Sequence, residues 1–107
     1  MSPLPIELRQ QARQDFADAF DHYIAEDAPD AAFRLTKALD LAYAVITEHP
    51  AIGSRRHGEK LGIDGLRTWP VDGFPFLVFY AEQRDQVEVW RVLHVRRDIP
   101  AAFDDRS

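Results

Sequence analysis

The chain has 107 residues, 46% of them apolar, which is the length of one ordinary domain with a sizeable core. We therefore expect a single domain over residues 1–107. The absence of cysteine excludes disulfides, thiolate metal sites and cysteine nucleophiles, and it favours a reducing compartment, the cytoplasm. Thirteen Lys and Arg against 18 Asp and Glu give a net charge of −5, which argues against a simple nucleic-acid binder.

The charge is distributed unevenly along the chain. Residues 1–50 hold nine acidic and four basic side chains, whereas residues 51–107 hold nine of each sign. A local positive patch on an acidic protein is therefore compatible with the sequence. The start, MSPLPIELRQQ, has neither a basic nor an apolar leader region, and no later stretch has the apolar length of a membrane span, so we expect no cleaved signal and no membrane association.

The first half of the sequence predicts a short strand followed by two helices. Apolar and polar side chains alternate over residues 4–8, and the proline among them restricts this strand to a sheet edge. From residue 10 the apolar side chains recur every three or four residues, which predicts a helix that ends near Asp27. Pro29 fits the first turn of a second helix, which ends near Glu48 before another proline. The two helices form an antiparallel hairpin.

The second half predicts a loop and three strands. Residues 51–65 show little periodicity and predict a connecting loop, and residues 66–71 alternate as a strand. Asp72-Gly73 is a hairpin-turn signal before the apolar run 74–80, which predicts a central strand. Residues 87–95 predict the longest strand. Its two predicted faces carry Val87, Val89, Arg91, Leu93 and Val95 on one side and Glu88, Trp90, Val92 and His94 on the other. The end of the chain predicts a loosely packed tail held by Ile99 and Phe103.

This order of elements predicts an α+β fold: a strand, a helical hairpin, and then a three-stranded antiparallel sheet. The hairpin is expected to cover one face of the sheet and to leave another face or an edge open. The apolar stripes predict the core between them. Its predicted members are Phe16, Phe20, Leu35, Leu39, Phe76, Val78, Val89 and Leu93.

Few residues form a pattern with specific chemistry. The sequence has no glycine-rich phosphate loop, no GxSxG and no HExxH. The four histidines lack the short spacing of metal ligands, so neither a metal nor a cofactor is expected. Asp15, Asp18 and Asp21 lie on the polar side of the first predicted helix, where a solvated surface is favoured over a catalytic carboxylate pair.

His94 and its neighbours are the candidate functional residues. His94 lies in the predicted strand 87–95, near Arg91, Arg96 and Arg97, so its imidazole is a candidate base. The favoured alternative is that His94 hydrogen-bonds a neighbour at the end of the sheet. Arg67 and Arg91 have a structural alternative as well, in which each holds a carboxylate of the acidic helices. Trp69 and Trp90 are interpreted as packing residues rather than base-stacking platforms.

Several short signatures occur together in one order along nearly the whole chain. They are HYIAEDAPDAAFRL, then TEHPAIGSRR with its Pro-x-x-Gly, then GLRTWPVDGFPFLVFY, and finally VEVWRVLHVRRD. In this order the sequence resembles the RelE/ParE toxin superfamily, and particularly its ParE branch. The resemblance implies the toxin of a type II toxin–antitoxin pair, with a cognate antitoxin as partner in a hetero-oligomer.

The superfamily implies two competing functions. RelE-like members cut messenger RNA on the ribosome, and this alternative would use His94, Arg67 and Arg97. ParE-like members poison DNA gyrase as binding proteins, with no catalytic residue. We favour the gyrase poison because the segment Gly73–Leu77 has no arginine, the tail has no tyrosine, and a charge of −5 suits a ribosomal RNA site poorly. The candidate target-binding residues are then Arg67, Arg91, Arg96 and Arg97. An inactive binding partner with the toxin fold is a third alternative.

Overall fold

A computed structural model describes residues 2–104 of the chain. The strands are β1 (Ile6–Leu8), β2 (Leu66–Pro70), β3 (Phe76–Glu82) and β4 (Val87–His94), and the helices are α1 (Gln10–Ala25), α2 (Pro29–Glu48), α3 (Arg56–Leu61) and α4 (Ile99–Asp104). A 3-10 turn, Pro50–Ile52, follows α2. The fold class is α+β, as the sequence predicts.

The helical hairpin is confirmed, and its turn has a clear local cause. Asp27 adopts a left-handed conformation, with φ of 57°. The amide of Ala28 donates to the carbonyl of Tyr23, and the amide of Asp27 donates to that of Ile24, which is the hydrogen-bond pattern of a Schellman helix end. Pro29 then begins α2, where its missing N–H costs nothing. The chain therefore reverses within three residues.

The sheet has the strand order β1-β4-β3-β2 and is mixed rather than wholly antiparallel. β1 lies at an edge, as predicted, and it pairs in parallel with β4, whereas β2, β3 and β4 are antiparallel to one another. The predicted central strand is confirmed, although it begins at Phe76 rather than at residue 74. The Asp72-Gly73 turn is present: Gly73 has φ of 78°, and the amide of Phe74 donates to the carbonyl of Val71.

β4 contains a β-bulge at Trp90, so the residues after Trp90 lie on the opposite faces of the sheet from those that we predicted. Tyr80 pairs with Val89 and Phe79 pairs with Arg91, so Trp90 is an extra residue on β4. The extra residue shifts the alternation by one position. Val92 consequently packs toward the hairpin with Val89. The predicted core residue Leu93 instead lies on the opposite face of the sheet.

Both faces of the sheet are covered, so the opening that we expected at another face or at an edge is not at a face. The hairpin packs on one face, and most of the other predicted core residues lie there: Leu35, Leu39, Val78 and Val89 are buried, and Phe16 and Phe76 are half-buried. The prediction for Phe20 is wrong, because this half-buried side chain does not belong to the cluster and its ring lies against those of Phe16 and Phe33. The opposite face carries a second cluster, formed by Leu66, Phe79, Leu93 and Ile99, with Ile63 and Phe103 against it. The predicted loop over residues 51–65 is wrong in part, because it contains the 3-10 turn and α3, which borders this cluster. The packing of Ile99 and Phe103 is as predicted, but they belong to a helix, α4.

Candidate interaction site

The end of β4 presents an exposed basic turn, made of His94, Arg96 and Arg97. The imidazole Nδ1 of His94 accepts a hydrogen bond from the amide of Arg96 at 3.0 Å, and the carbonyl of His94 accepts one from the amide of Arg97 at 2.9 Å. The ring of His94 lies edge-on to that of Phe76. These contacts fix the turn and leave both arginine side chains exposed to solvent. The expected hydrogen bond between His94 and a neighbour at the end of the sheet is present, with the amide of Arg96 as donor.

Arg91 has a different environment from the other candidate arginines. Its Nε and Nη2 donate to the two carboxylate oxygens of Asp15 at 2.8 and 2.9 Å. Its Nη1 donates to the carbonyl of Ala102 in α4. Asp15 also accepts the amide of Val92 at 2.9 Å. The carboxylate raises the pKa of Arg91, so this guanidinium stays charged. The structural alternative for Arg91 is confirmed.

The ion pair between Asp15 and Arg91 corrects the expectation that Asp15 is a solvated surface residue. The side chain of Asp15 is 8% exposed and that of Arg91 is 14% exposed. Asp18 and Asp21, on the same helix, are exposed as expected. Asp15 therefore connects α1 to β4, and Arg91 connects both to α4.

Arg67 binds backbone oxygens rather than a carboxylate. Its Nη1 donates to the carbonyls of Ala51 and Gly53 at 3.1 and 3.0 Å. The hydroxyl of Tyr80 donates to the carbonyl of Pro50 at 2.8 Å and accepts the amide of Gly53 at 2.9 Å. Burial raises the pKa of Tyr80, so the phenol keeps its proton. A side chain at position 53 would collide with Tyr80 and the backbone of β2, so the 3-10 turn fits against the sheet only with glycine there.

The fold keeps Arg67 apart from His94. Arg67 pairs with Tyr80, and His94 pairs with Phe76, four residues further along β3. Four residues of strand span about 13 Å, and the two side chains also belong to strands on either side of β3. His94 and Arg97 share the basic turn, but Arg67 does not reach it.

His57, on α3, is a titratable group that sequence reasoning did not single out. Its ring lies edge-on to Phe79, and its Nδ1 is buried with no hydrogen-bond partner within residues 2–104. Burial, followed by the charges of Lys60 and Arg56, lowers the pKa of His57 from 6.5. The folded protein therefore holds the neutral imidazole.

The lowered pKa of His57 predicts a loss of stability in mild acid. The unfolded chain binds the proton more tightly, so the contribution of His57 is complete above a pH of about 6.5 and is lost as the pH falls through the lowered folded pKa. Thermal unfolding at about pH 7.5 and about pH 5.5 measures this loss. We expect His57→Gln to lose less stability between these pH values than the wild type. Equal losses in the two proteins would contradict the prediction.

A pocket of about 250 Å³ opens between α1 and α2 beside β1. Leu8, Phe16 and Leu39 belong to its apolar wall. Its polar lining residues are Arg13, Thr36, Asp40 and Tyr43. Burial and the negative charge of Asp40 raise the pKa of Tyr43 to about 12, so the phenol is neutral. The pocket can receive an apolar side chain of a partner.

Other kinds of site have less support. No group of three histidine, aspartate or glutamate side chains within the described range could hold a metal ion. No helix in that same range is long and apolar enough to cross a membrane. The basic turn, the sheet edges and the pocket of the hairpin are candidate groups for recognition.

The arrangement of a helical hairpin on this sheet matches a known class of α+β fold. A solved structure titled "Chromosomal ParDE TA system from P. aeruginosa" superposes with a TM-score of 0.71, at 18% sequence identity, over 85% of this chain and 95% of that chain. At this identity the likeness establishes the fold. The comparison with curated proteins gives no match.

The sequence then identifies the family within this class. The family model described as "ParE toxin of type II toxin-antitoxin system, parDE" matches residues 6–99. The chain belongs to the ParE toxin family. Membership implies an antitoxin as partner.

Proposed function

We propose that this toxin acts in the cytoplasm by binding DNA gyrase and holding it on cleaved DNA, and that its cognate antitoxin neutralises it within a hetero-oligomer. The proposal adds a target to the family assignment. The observation that carries it is the placement of the candidate nuclease residues, because a binding protein needs an exposed surface whereas a nuclease needs an assembled centre.

A ribonuclease mechanism requires a base near the ribose hydroxyl and cations near the same phosphate. Only part of such a centre is present. His94 and Arg97 share the basic turn, whereas Arg67 is about 13 Å away along the sheet and donates to two backbone carbonyls. This separation supports the binding function over cleavage.

The basic turn is the surface that we propose for the target. Arg96 and Arg97 are exposed, and the apolar side chain of Val95, which precedes them in the chain, is exposed as well. Arginine beside apolar surface is typical of residues that dominate protein interfaces. We do not assign Arg67 and Arg91 to this surface, since their guanidinium groups already have partners within the fold.

We expect the purified toxin to trap gyrase on cleaved DNA and its expression to induce the DNA-damage response, while ribosome-bound message stays intact. The double variant Arg96→Ala/Arg97→Ala should need at least about tenfold more protein for the same trapped fraction. The measurement is the yield of cleaved plasmid across a toxin titration. Arg55→Ala/Arg56→Ala is the matched control, because it removes two exposed charges near α3.

A second assay tests the nuclease alternative directly. Translating ribosomes are incubated with the toxin and with its His94→Ala variant, and the message is mapped for cuts. Cleavage in the ribosomal A site that is lost in His94→Ala would overturn the gyrase function and leave the family assignment intact. Equal trapping of gyrase by both arginine double variants would show that the basic turn is not the binding surface.

A further inference from the structure

The outward face of α2 has an exposed leucine at its centre. Leu41 is 68% exposed, the largest fraction among the exposed large apolar side chains of the described residues. Arg34, Lys37 and Glu48 lie in line with Leu41, because residues four or seven apart share one side of an α-helix. All four side chains are exposed. This face lies opposite the buried stripe of α2 that packs on the sheet, which leaves it outside the core.

An apolar groove borders Leu41. It has a volume of about 520 Å³ and lies between α2 and the end of β2. Its walls are apolar: Ala38, Leu41 and Val45 lie on the helix side, and Trp69 and Pro70 on the strand side. Asp72, in the turn after β2, is its charged lining residue. The groove can receive an aliphatic side chain of a partner that also covers Leu41.

The charges on the outward face of α2 have opposite signs on the two sides of Leu41. Arg34 lies seven residues before Leu41, with Lys37 between them, and Glu48 lies seven residues after it. Seven residues are nearly two helical turns, or about 10 Å along the axis. None of these three charged side chains has an ion-pair partner within residues 2–104. Asp30, one turn before Arg34, is the remaining charged residue in line with Leu41.

This order of charges is complementary to itself across a two-fold axis at Leu41. Such an axis sets two copies of α2 antiparallel, with Arg34 of each copy opposite Glu48 of the other and the two Leu41 side chains together. A parallel pair would instead set like charges against each other, which is repulsive. The counterpart of Asp30 is Ile52, beyond the end of α2, so Asp30 meets no like charge. We propose that a second copy of this chain docks on the outward face of α2, antiparallel to the first.

The size of the surface sets the strength of the dimer. One helix and the adjoining end of β2 from each copy bury less than the roughly 1,200 Å² of a stable interface. We expect a Kd of about 10–100 µM, so that the chain is monomeric at about 1 µM. Both copies bring the same surface to the contact, so the assembly closes at two chains. The inference does not depend on the proposed target of the protein.

Sedimentation of the full-length chain from about 1 to about 200 µM tests the self-association. The average mass should rise from 12.3 kDa toward twice that value. Leu41→Ala should raise the Kd at least about tenfold, because it removes the apolar contact at the axis. Ile24→Ala is the matched control, since Ile24 is an apolar residue of α1 that is 45% exposed and lies outside this face. It should leave the Kd unchanged.

Charge reversal tests the antiparallel arrangement. Arg34→Glu and Glu48→Arg each put like charges at both contacts of a pair, so each variant alone should associate at least about tenfold more weakly than the wild type. An equal mixture of the two variants has opposite charges at both contacts and should form a dimer with nearly the wild-type Kd. High salt should weaken the wild type and the mixture and should strengthen association of the single variants. Both positions are exposed, so thermal unfolding of the variants at about 1 µM should match the wild type.

Three results would contradict the inference. A wild-type chain that stays monomeric up to about 200 µM would overturn it and leave this face to a different protein. A dimer that Leu41→Ala and both charge variants leave unchanged would place the contact elsewhere and overturn it as well. Single charge variants that associate no better in the mixture than alone would overturn the antiparallel arrangement.

Discussion

The Asp15→Ala variant is expected to lose about 2–4 kcal/mol of unfolding free energy, because it leaves the Arg91 guanidinium without its carboxylate in a largely buried place. Three hydrogen bonds are lost with this one carboxylate, two from Arg91 and one from the amide of Val92. The expected loss of unfolding free energy is smaller than for a fully buried ion pair, because Arg91 keeps some contact with water and keeps its hydrogen bond to Ala102.

Urea unfolding of the two proteins measures this loss. Asp18→Ala is the matched control, since Asp18 is an exposed aspartate on the same helix that accepts only a bond from Gln14. It should change the unfolding free energy by less than about 0.5 kcal/mol. A loss below about 1 kcal/mol in Asp15→Ala would mean that the pair is no stronger than an ordinary surface ion pair.

The Leu39→Ala variant is expected to lose about 2–5 kcal/mol, as buried leucines do when a cavity replaces the side chain. Leu39 is 3% exposed on the inner face of α2 and belongs to the core between hairpin and sheet. It also borders the hairpin pocket, so partial collapse of that space places the loss toward the lower end of the range.

The same helix supplies the control for this variant. Leu41 is two residues further along α2 and is 68% exposed. Leu41→Ala removes the same atoms in the same helix and should cost less than about 0.5 kcal/mol. Both variants are compared by the midpoint and slope of urea unfolding. Equal losses at the two positions would show that the assigned inner face of α2 is wrong.

The helical hairpin could be predicted from the sequence because each helix is long enough for its apolar period to repeat several times. Asp27, Pro29 and Pro50 indicated where the two helices end and begin. In the structure, α1 and α2 begin and end within about two residues of the predicted bounds. The six-residue α3 is shorter than two helical turns, so its period could not be seen. α4 is equally short, and only its anchors Ile99 and Phe103 were predicted.

The errors in the sheet and in the site have one physical origin, which is pairing between distant parts of the chain. The extra residue Trp90 is visible only in the register of β4 against β3. The burial of Asp15 depends on Arg91, 76 residues away, so the local helical pattern assigned it to the surface. The hydroxyl of Tyr80 also holds the 3-10 turn through hydrogen bonds with Gly53 and Pro50, which are 27 and 30 residues away in the sequence. Nothing in the spacing of the sequence marks these contacts.

The parallel pairing of β1 with β4 also determines when the sheet can close during synthesis of the chain. Ile6 pairs with Val87, so the first strand has no neighbour in the sheet until almost the whole chain has been made. Closing so long a loop is entropically costly and makes the native pairing a late event. A chain whose translation stops before β4 lacks both the parallel pair and the Asp15–Arg91 bridge. Translation must therefore pass β4 before the sheet can close.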